Sequence, residues 1–155
     1  MTLVDTNVLL DLVTDDAVWA DWSVAQLEAA SLLGPLLIND VIYAELAVRY
    51  DRIEDLDGFL KDAGIEVVSV PRAALFLAGK VFVRYRRAGG SRTGVLPDFF
   101  IGAHAAVAQL PLLTRDVGRY LTYFPTIGLI SPDAWTSRRY GANFGVARLT
   151  NLLLW

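Results

Sequence analysis

The sequence predicts a single α/β domain, three layers deep (α/β/α), around a central, mostly parallel sheet of about five strands. Three observations predict it. Short apolar runs of strand length, at residues 2–4, 36–38, 65–70, 111–114 and 127–130, alternate with longer stretches of helical period. Glycine and proline punctuate the joints, as at Gly34-Pro35, Gly64 and Pro71. The length of 155 residues suits one domain able to bury roughly 70% of its unfolded surface.

The elements follow in order. The first strand, 2–4, runs straight into a carboxylate, Asp5. Val8 to Val13 start a helix that returns along the sheet, with Asp11 on its polar side. A second helix is expected from Ala17 to Leu33, with an inward stripe of Val18, Trp22, Ala25, Ala29, Leu32 and Leu33. Gly34 supplies its C-cap geometry and Pro35 cannot continue it. After the second strand, Asn39 or Asp40 caps a helix over 41–50 that carries Glu45. Residues 51–62 form an acidic helix with Ile53, Leu56, Phe59 and Leu60 on one face. β-Branched residues bounded by Gly64 and Pro71 mark the third strand, and Pro71 opens a long helix to about Arg87. Residues 88–94 are the most loop-like segment. Pro97-Asp98 then begins an Ala-rich helix to about Gln109, and strands four and five complete the sheet.

Composition narrows the function. With no cysteine there is neither a disulfide nor thiolate chemistry, which suits a reducing cytoplasm. Hydrophobic residues make up 54% of the chain, yet no apolar run approaches the ~20 residues of a membrane span. The start lacks the basic region of a signal peptide, so no membrane or export role is expected. Charge is split: residues 1–66 carry 14 acids and 3 Lys or Arg, and residues 67–155 carry 3 and 11. Uneven surface charge would explain this, and so would an acidic site beside a basic face for a polyanion.

Four acids stand out on this layout. Asp5 lies one step past strand one, and Asp116 two steps past strand four. Glu45 sits about a turn and a half into the helix leaving strand two. Asp98 begins the helix that runs back before strand four. All four therefore reach the carboxyl edge of the sheet, where open α/β folds bind ligands. Each has an ordinary alternative: Asp5 and Asp98 as helix caps, Glu45 facing solvent, Asp116 in a turn. Together they form a cluster that must take up protons or a cation. Hard oxygen donors select Mg²⁺ or Mn²⁺, and such an ion can orient a phosphodiester and acidify a water.

Asp5-Thr6-Asn7, Ala44-Glu45-Leu46, Pro97-Asp98-Phe99-Phe100-Ile101-Gly102-Ala103 and Leu113-Thr114-Arg115-Asp116 resemble the four motifs of PIN-domain nucleases. Tyr123-Phe124-Pro125 through Ile130-Ser131-Pro132 resembles the ending of VapC-type toxins of toxin–antitoxin modules. The resemblance spans about residues 2–133. It divides the chain into a PIN-like nuclease domain, 1–133, and a C-terminal extension of unknown role, 134–155. It implies an endoribonuclease dependent on Mg²⁺ (or Mn²⁺), with Asp5, Glu45, Asp98 and Asp116 as the acidic quartet. Asp5 and Asp98 would be direct metal ligands, and Glu45 and Asp116 would act directly or through water. Thr6, Asn7 and Thr114 match positions that orient acids or phosphates. The resemblance further implies an RNA substrate, a homodimer, and a cognate VapB-like antitoxin that blocks the cleft.

His104 is the only histidine, which excludes a two-histidine cyclising ribonuclease within one chain. It lies about 120° round the helix from Asp98, so a structural role is expected. The glycine-rich loop lacks the Gly-Lys-Ser/Thr ending of a phosphate-binding P-loop. Between Val67 and Pro97 there are six Lys or Arg and no acid. This is either a solvated helix face or an RNA track, with Arg86, Arg87 and Arg92 nearest the rim. Arg115 either joins them or pairs with acids. Trp19 and Trp22, three apart, suit an antitoxin or dimer patch. Residues 134–155 hold Arg138, Arg139 and Arg148 and end in Leu152-Leu153-Leu154-Trp155. Two rival functions remain. A haloacid-dehalogenase-like phosphatase would want Asp-x-Asp after strand one, where Asn7 stands instead. A non-catalytic module could bind RNA or a partner through the basic half.

Overall fold

The computed structural model describes residues 1–132; the boundary at 133 and the extension 134–155 lie outside the described residues. The chain runs β1 (Thr2–Val4), α1 (Thr6–Val13), α2 (Ala20–Leu33), β2 (Leu36–Asn39), α3 (Asp40–Ala47), α4 (Ile53–Asp62), β3 (Ile65–Val68), α5 (Arg72–Arg87), α6 (Pro97–Ala108), β4 (Leu112–Leu113), α7 (Gly118–Tyr123) and β5 (Leu129–Ile130). The sheet order is β3-β2-β1-β4-β5, and every pairing is parallel. The expected fold class is therefore observed, with a sheet that is wholly rather than mostly parallel.

Burial explains the hydrophobic composition. β1, β2 and β4 are buried along their whole length, as strands covered by helices on both faces must be. Leu3, Ile38, Leu112 and Leu113 make the middle of the core, with Ile42 and Leu46 of α3 and Phe99 and Ile101 of α6 packed over them. Only the edge strand β3 turns residues outward, at Glu66 and Val67. No helix among the described residues is long and apolar enough to cross a membrane.

Local signals hold at several ends. Asn39 caps α3 by accepting from the backbone N–H groups of Val41 and Ile42, at 3.1 and 3.0 Å. Pro97 opens α6 in its first turn. Gly34 ends α2 at φ 146°, where a Cβ would lie 2.9 Å from the amino group of Met1. The strands are shorter than expected: the third ends at Val68, and the fourth and fifth span two residues each.

Two expectations fail. The stripe assigned to α2 faces outward except at Trp22, which packs against the core: Val18 is 76% exposed, Leu32 87% and Leu33 70%. The inward face is Ser23, Leu27 and Ala30, and α2 begins at Ala20. Ser23 turns in because its hydroxyl donates to the buried Asp11 of α1 at 2.6 Å, so a polar residue marks the packed face. The second is Asp11, expected on the polar side of α1 and in fact buried at 2% exposure; α7 is a helix that the sequence reading does not include.

The order of the strands decides where a ligand goes. From β1 the chain steps to β2 and then β3 on one side, and then returns across β1 to β4 and β5 on the other. The crossovers diverge between β1 and β4, and the carboxyl ends of these two strands flank the crevice typical of doubly wound sheets. Asp5 follows the first of them and Thr114 the second.

Candidate active site

One cavity, of about 230 Å³, opens at that crevice. It is lined by Asp5, Thr6, Asn7, Leu10, Glu45, Asp98, Asp116, Arg119 and Tyr120. The four acids singled out in the sequence, which come from four separate segments, thus share one space.

Asp5 is the best anchored of them. It is 5% exposed and stands at the N-cap of α1, where one oxygen, Oδ1, accepts the backbone N–H of Thr6 at 2.8 Å. Its other oxygen, Oδ2, accepts from the Thr114 hydroxyl (2.6 Å), the Asn7 amide (2.9 Å) and the Tyr120 hydroxyl (3.1 Å). The residue is therefore a helix cap and more, since an ordinary cap does not need three further donors. Asn7 ties the two strand ends together: its amide also reaches Thr114 Oγ1 at 3.1 Å, and its oxygen accepts from the backbone N–H of Arg115. Thr114, fully buried, receives the backbone N–H of Asp116 at 3.1 Å, which fixes the turn carrying that acid.

Glu45 is half-buried, and its carboxylate accepts the hydroxyl of Thr6. Asp98 accepts from the guanidinium of Arg119, and Asp116 sits exposed at the rim, where it accepts the N–H of Gly118, the first residue of α7, at 3.1 Å. Burial, opposed by the hydrogen bonds it accepts and helped by the charge of Asp98, pushes Asp5 up from 3.8 to about 6. Burial and the same neighbour raise Glu45. Desolvation, and then the charges of Asp5 and Asp98, hold the Tyr120 hydroxyl protonated well above its usual range, so it stays a donor.

The donor set suits a hard divalent cation. It is carboxylate oxygen alone, and two of the acids are short of compensating charge. No three acids or histidines among the described residues stand together as a ready-made metal group, and Asp98 is engaged by Arg119. The residues fit such an ion in kind, with Asp98 held by a protein cation instead.

The basic candidates divide. Arg86 spends its guanidinium on the carbonyls of Gly90 and Arg92, at 2.9 and 3.0 Å, and so tethers the 88–94 loop. Arg115 pairs with the buried Asp11 at 2.7 Å and lies over the ring of Trp19 at 5.1 Å. Trp19 and Trp22 meet edge to face and are half-buried against this cluster. Arg87 and Arg92 have exposed side chains at the end of α5 and in the loop. His104 is buried in α6, with Nδ1 3.3 Å from the Asn39 amide, and it does not line the cavity. Arg119 and Tyr120 line it without having been singled out from the sequence. The apolar spacing Val117, Tyr120, Leu121, Phe124, at i, i+3, i+4 and i+7, was the available signal for their helix.

A family profile described as PIN domain matches residues 2–121. The chain belongs to the PIN domain family. Its fold is similar to that of a VapBC2 complex from Rickettsia felis bound to a DNA fragment from its promoter (TM-score 0.66, 19% identity, 85% of this chain and 98% of that one). It is also similar to a toxin–antitoxin complex from Klebsiella pneumoniae (TM-score 0.61, 20% identity, 84% and 96% covered). VapBC-1 from nontypeable Haemophilus influenzae is comparable, at TM-score 0.60 and 17% identity over 84% and 96%. At these identities the likeness is one of fold. A comparison with curated proteins found no match. PIN family membership sets aside the haloacid-dehalogenase alternative.

Proposed function

We propose that the chain is a metal-dependent endoribonuclease and the VapC-type toxin of a toxin–antitoxin pair. The observation that carries this is the convergence of Asp5, Glu45, Asp98 and Asp116 on one cavity at the divergence of the crossovers. In this reading Asp5 and Asp98 hold Mg²⁺ or Mn²⁺, with Glu45 and Asp116 acting directly or through water. When bound, the ion polarises the scissile phosphodiester and acidifies the attacking water. The protein's own contribution is to fix the acids beforehand. Thr114, Asn7 and Tyr120 hold Asp5, Thr6 holds Glu45, and Thr114 fixes the turn of Asp116. Arg87 and Arg92 offer phosphate contacts, and Arg86 shapes the loop that presents Arg92. Arg115 supports the acids' scaffold through Asp11 rather than touching RNA. A cognate VapB-like antitoxin would cover the cleft. A homodimer would bury the exposed Leu75, Phe76 and Val83 of α5, and the pair would act in the cytoplasm.

Attack by external water needs no 2′-hydroxyl, so the ends should be 5′-phosphate and 3′-hydroxyl. Purified protein incubated with RNA should give these ends in Mg²⁺ or Mn²⁺ and no cleavage in EDTA. Cyclic phosphate ends, or cleavage undiminished by EDTA, would defeat the reading. One observation favours a second reading, a non-catalytic RNA-binding module: Asp98 is already engaged by Arg119. RNA binding without cleavage in either metal would decide for it.

A further inference from the structure

Arg119 is the only cation lining the acidic cavity among the described residues, and it is paired with one of the acids meant for a metal. The pair closes from α7 onto the first turn of α6, so it joins two elements that both border the crevice. Its two side chains are 47% and 28% exposed, which makes it a loose pair, worth at most about fivefold in an equilibrium. A long, solvated arm on a short helix can leave its partner without disturbing the core. A divalent cation concentrates twice the charge at a point and accepts several oxygens at once, so it competes well for a carboxylate held this weakly. Asp98 also acts on both Asp5 and Glu45, so its charge is felt across the site.

We propose that Arg119 is an exchange residue: it neutralises Asp98 in the metal-free protein and is displaced when a divalent cation binds, so that it sets the site's metal affinity. This rests on the metal-dependent reading above and deepens it.

The test titrates the full chain with Mn²⁺, following free ion by electron paramagnetic resonance, for the wild type, Arg119→Gln and Arg49→Gln. Arg49 lies exposed beyond the far end of α3 and gives the same change in net charge. Arg119→Gln should bind Mn²⁺ more tightly, by about threefold to fivefold, and Arg49→Gln should stay within about twofold of wild type. In parallel, the guanidinium ¹⁵N resonance of Arg119, identified by its loss in Arg119→Gln, is followed during Mg²⁺ titration. It should move toward the position of a free arginine, and in Asp98→Asn it should already be there without metal. Unchanged or weaker Mn²⁺ binding by Arg119→Gln, or a resonance that stays put while other signals report Mg²⁺ binding, overturns the exchange and leaves the metal site standing. Binding by Arg119→Gln alone supports the exchange strongly, and no binding by any variant overturns the metal reading with it.

Discussion

Replacing Asp5 with asparagine should stabilise the metal-free protein at neutral pH while abolishing its activity. The carboxyl is held at about 6 against an ordinary value of 3.8, a difference of roughly 2 units, or about 3 kcal/mol. Because the folded value is raised, the stability that comes with protonation is fully present below pH 3.8 and is lost as pH rises through about 6. At pH 7 the ionised, buried carboxylate therefore costs the fold about 3 kcal/mol. Asparagine removes that charge, and its oxygen still accepts from Thr114, Asn7 and Tyr120. Its NH₂ would then face the N–H of Thr6 where Oδ1 accepts now, a donor–donor conflict of about 1–2 kcal/mol. The net is a gain of about 1–2 kcal/mol at pH 7, shrinking and then reversing toward pH 4. Urea unfolding in EDTA across that range, followed by circular dichroism, measures it. A loss above about 2 kcal/mol that does not vary with pH would refute the reasoning, because it would mean that Asp5 is worth more as a structural acceptor than its buried charge costs.

Three further predictions concern the supports of the site. Tyr120→Phe takes one donor from Asp5 and should cost about 1–2 kcal/mol at pH 7, with the loss shrinking as pH falls through 6 in the same titration. Gly102→Ala puts a methyl group against the ring of Phe124 and should lower stability by about 1–3 kcal/mol, read as a drop in Tm. Asp11→Ala strips an acceptor from both Ser23 and Arg115. It should cost about 2–4 kcal/mol in chemical unfolding, and slow cleavage by loosening the turn between Thr114 and Asp116.

The sheet and most helices were legible because each strand is a short apolar run ending in punctuation, and a two-layer helical cover leaves those runs unbroken. Asp5 and Asp116 could be placed from topology alone, since each lies within two residues of the end of an expected strand. The errors have physical causes. Periodicity finds a stripe on α2, but not which way it faces when the true inward face carries Ser23 for a buried carboxylate. The helix α7 is only six residues long, so its apolar spacing from Val117 to Phe124 amounts to a single repeat, too little to set it apart from a loop, and Arg119 and Tyr120 went with it. The basic run before Asp98 allows either a solvated helix face or an RNA track. The structure divides it, because carbonyl acceptors in the loop occupy Arg86, a partnership that no spacing in the sequence reveals.

Anomalous diffraction from a crystal soaked in manganese tests the central claim most directly. The account predicts a peak about 2.1 Å from oxygens of Asp5 and Asp98, with Glu45 and Asp116 in contact directly or through water and Arg119 withdrawn from Asp98. A map with no peak in the cavity, the four acids unmoved and Arg119 still on Asp98 would contradict it.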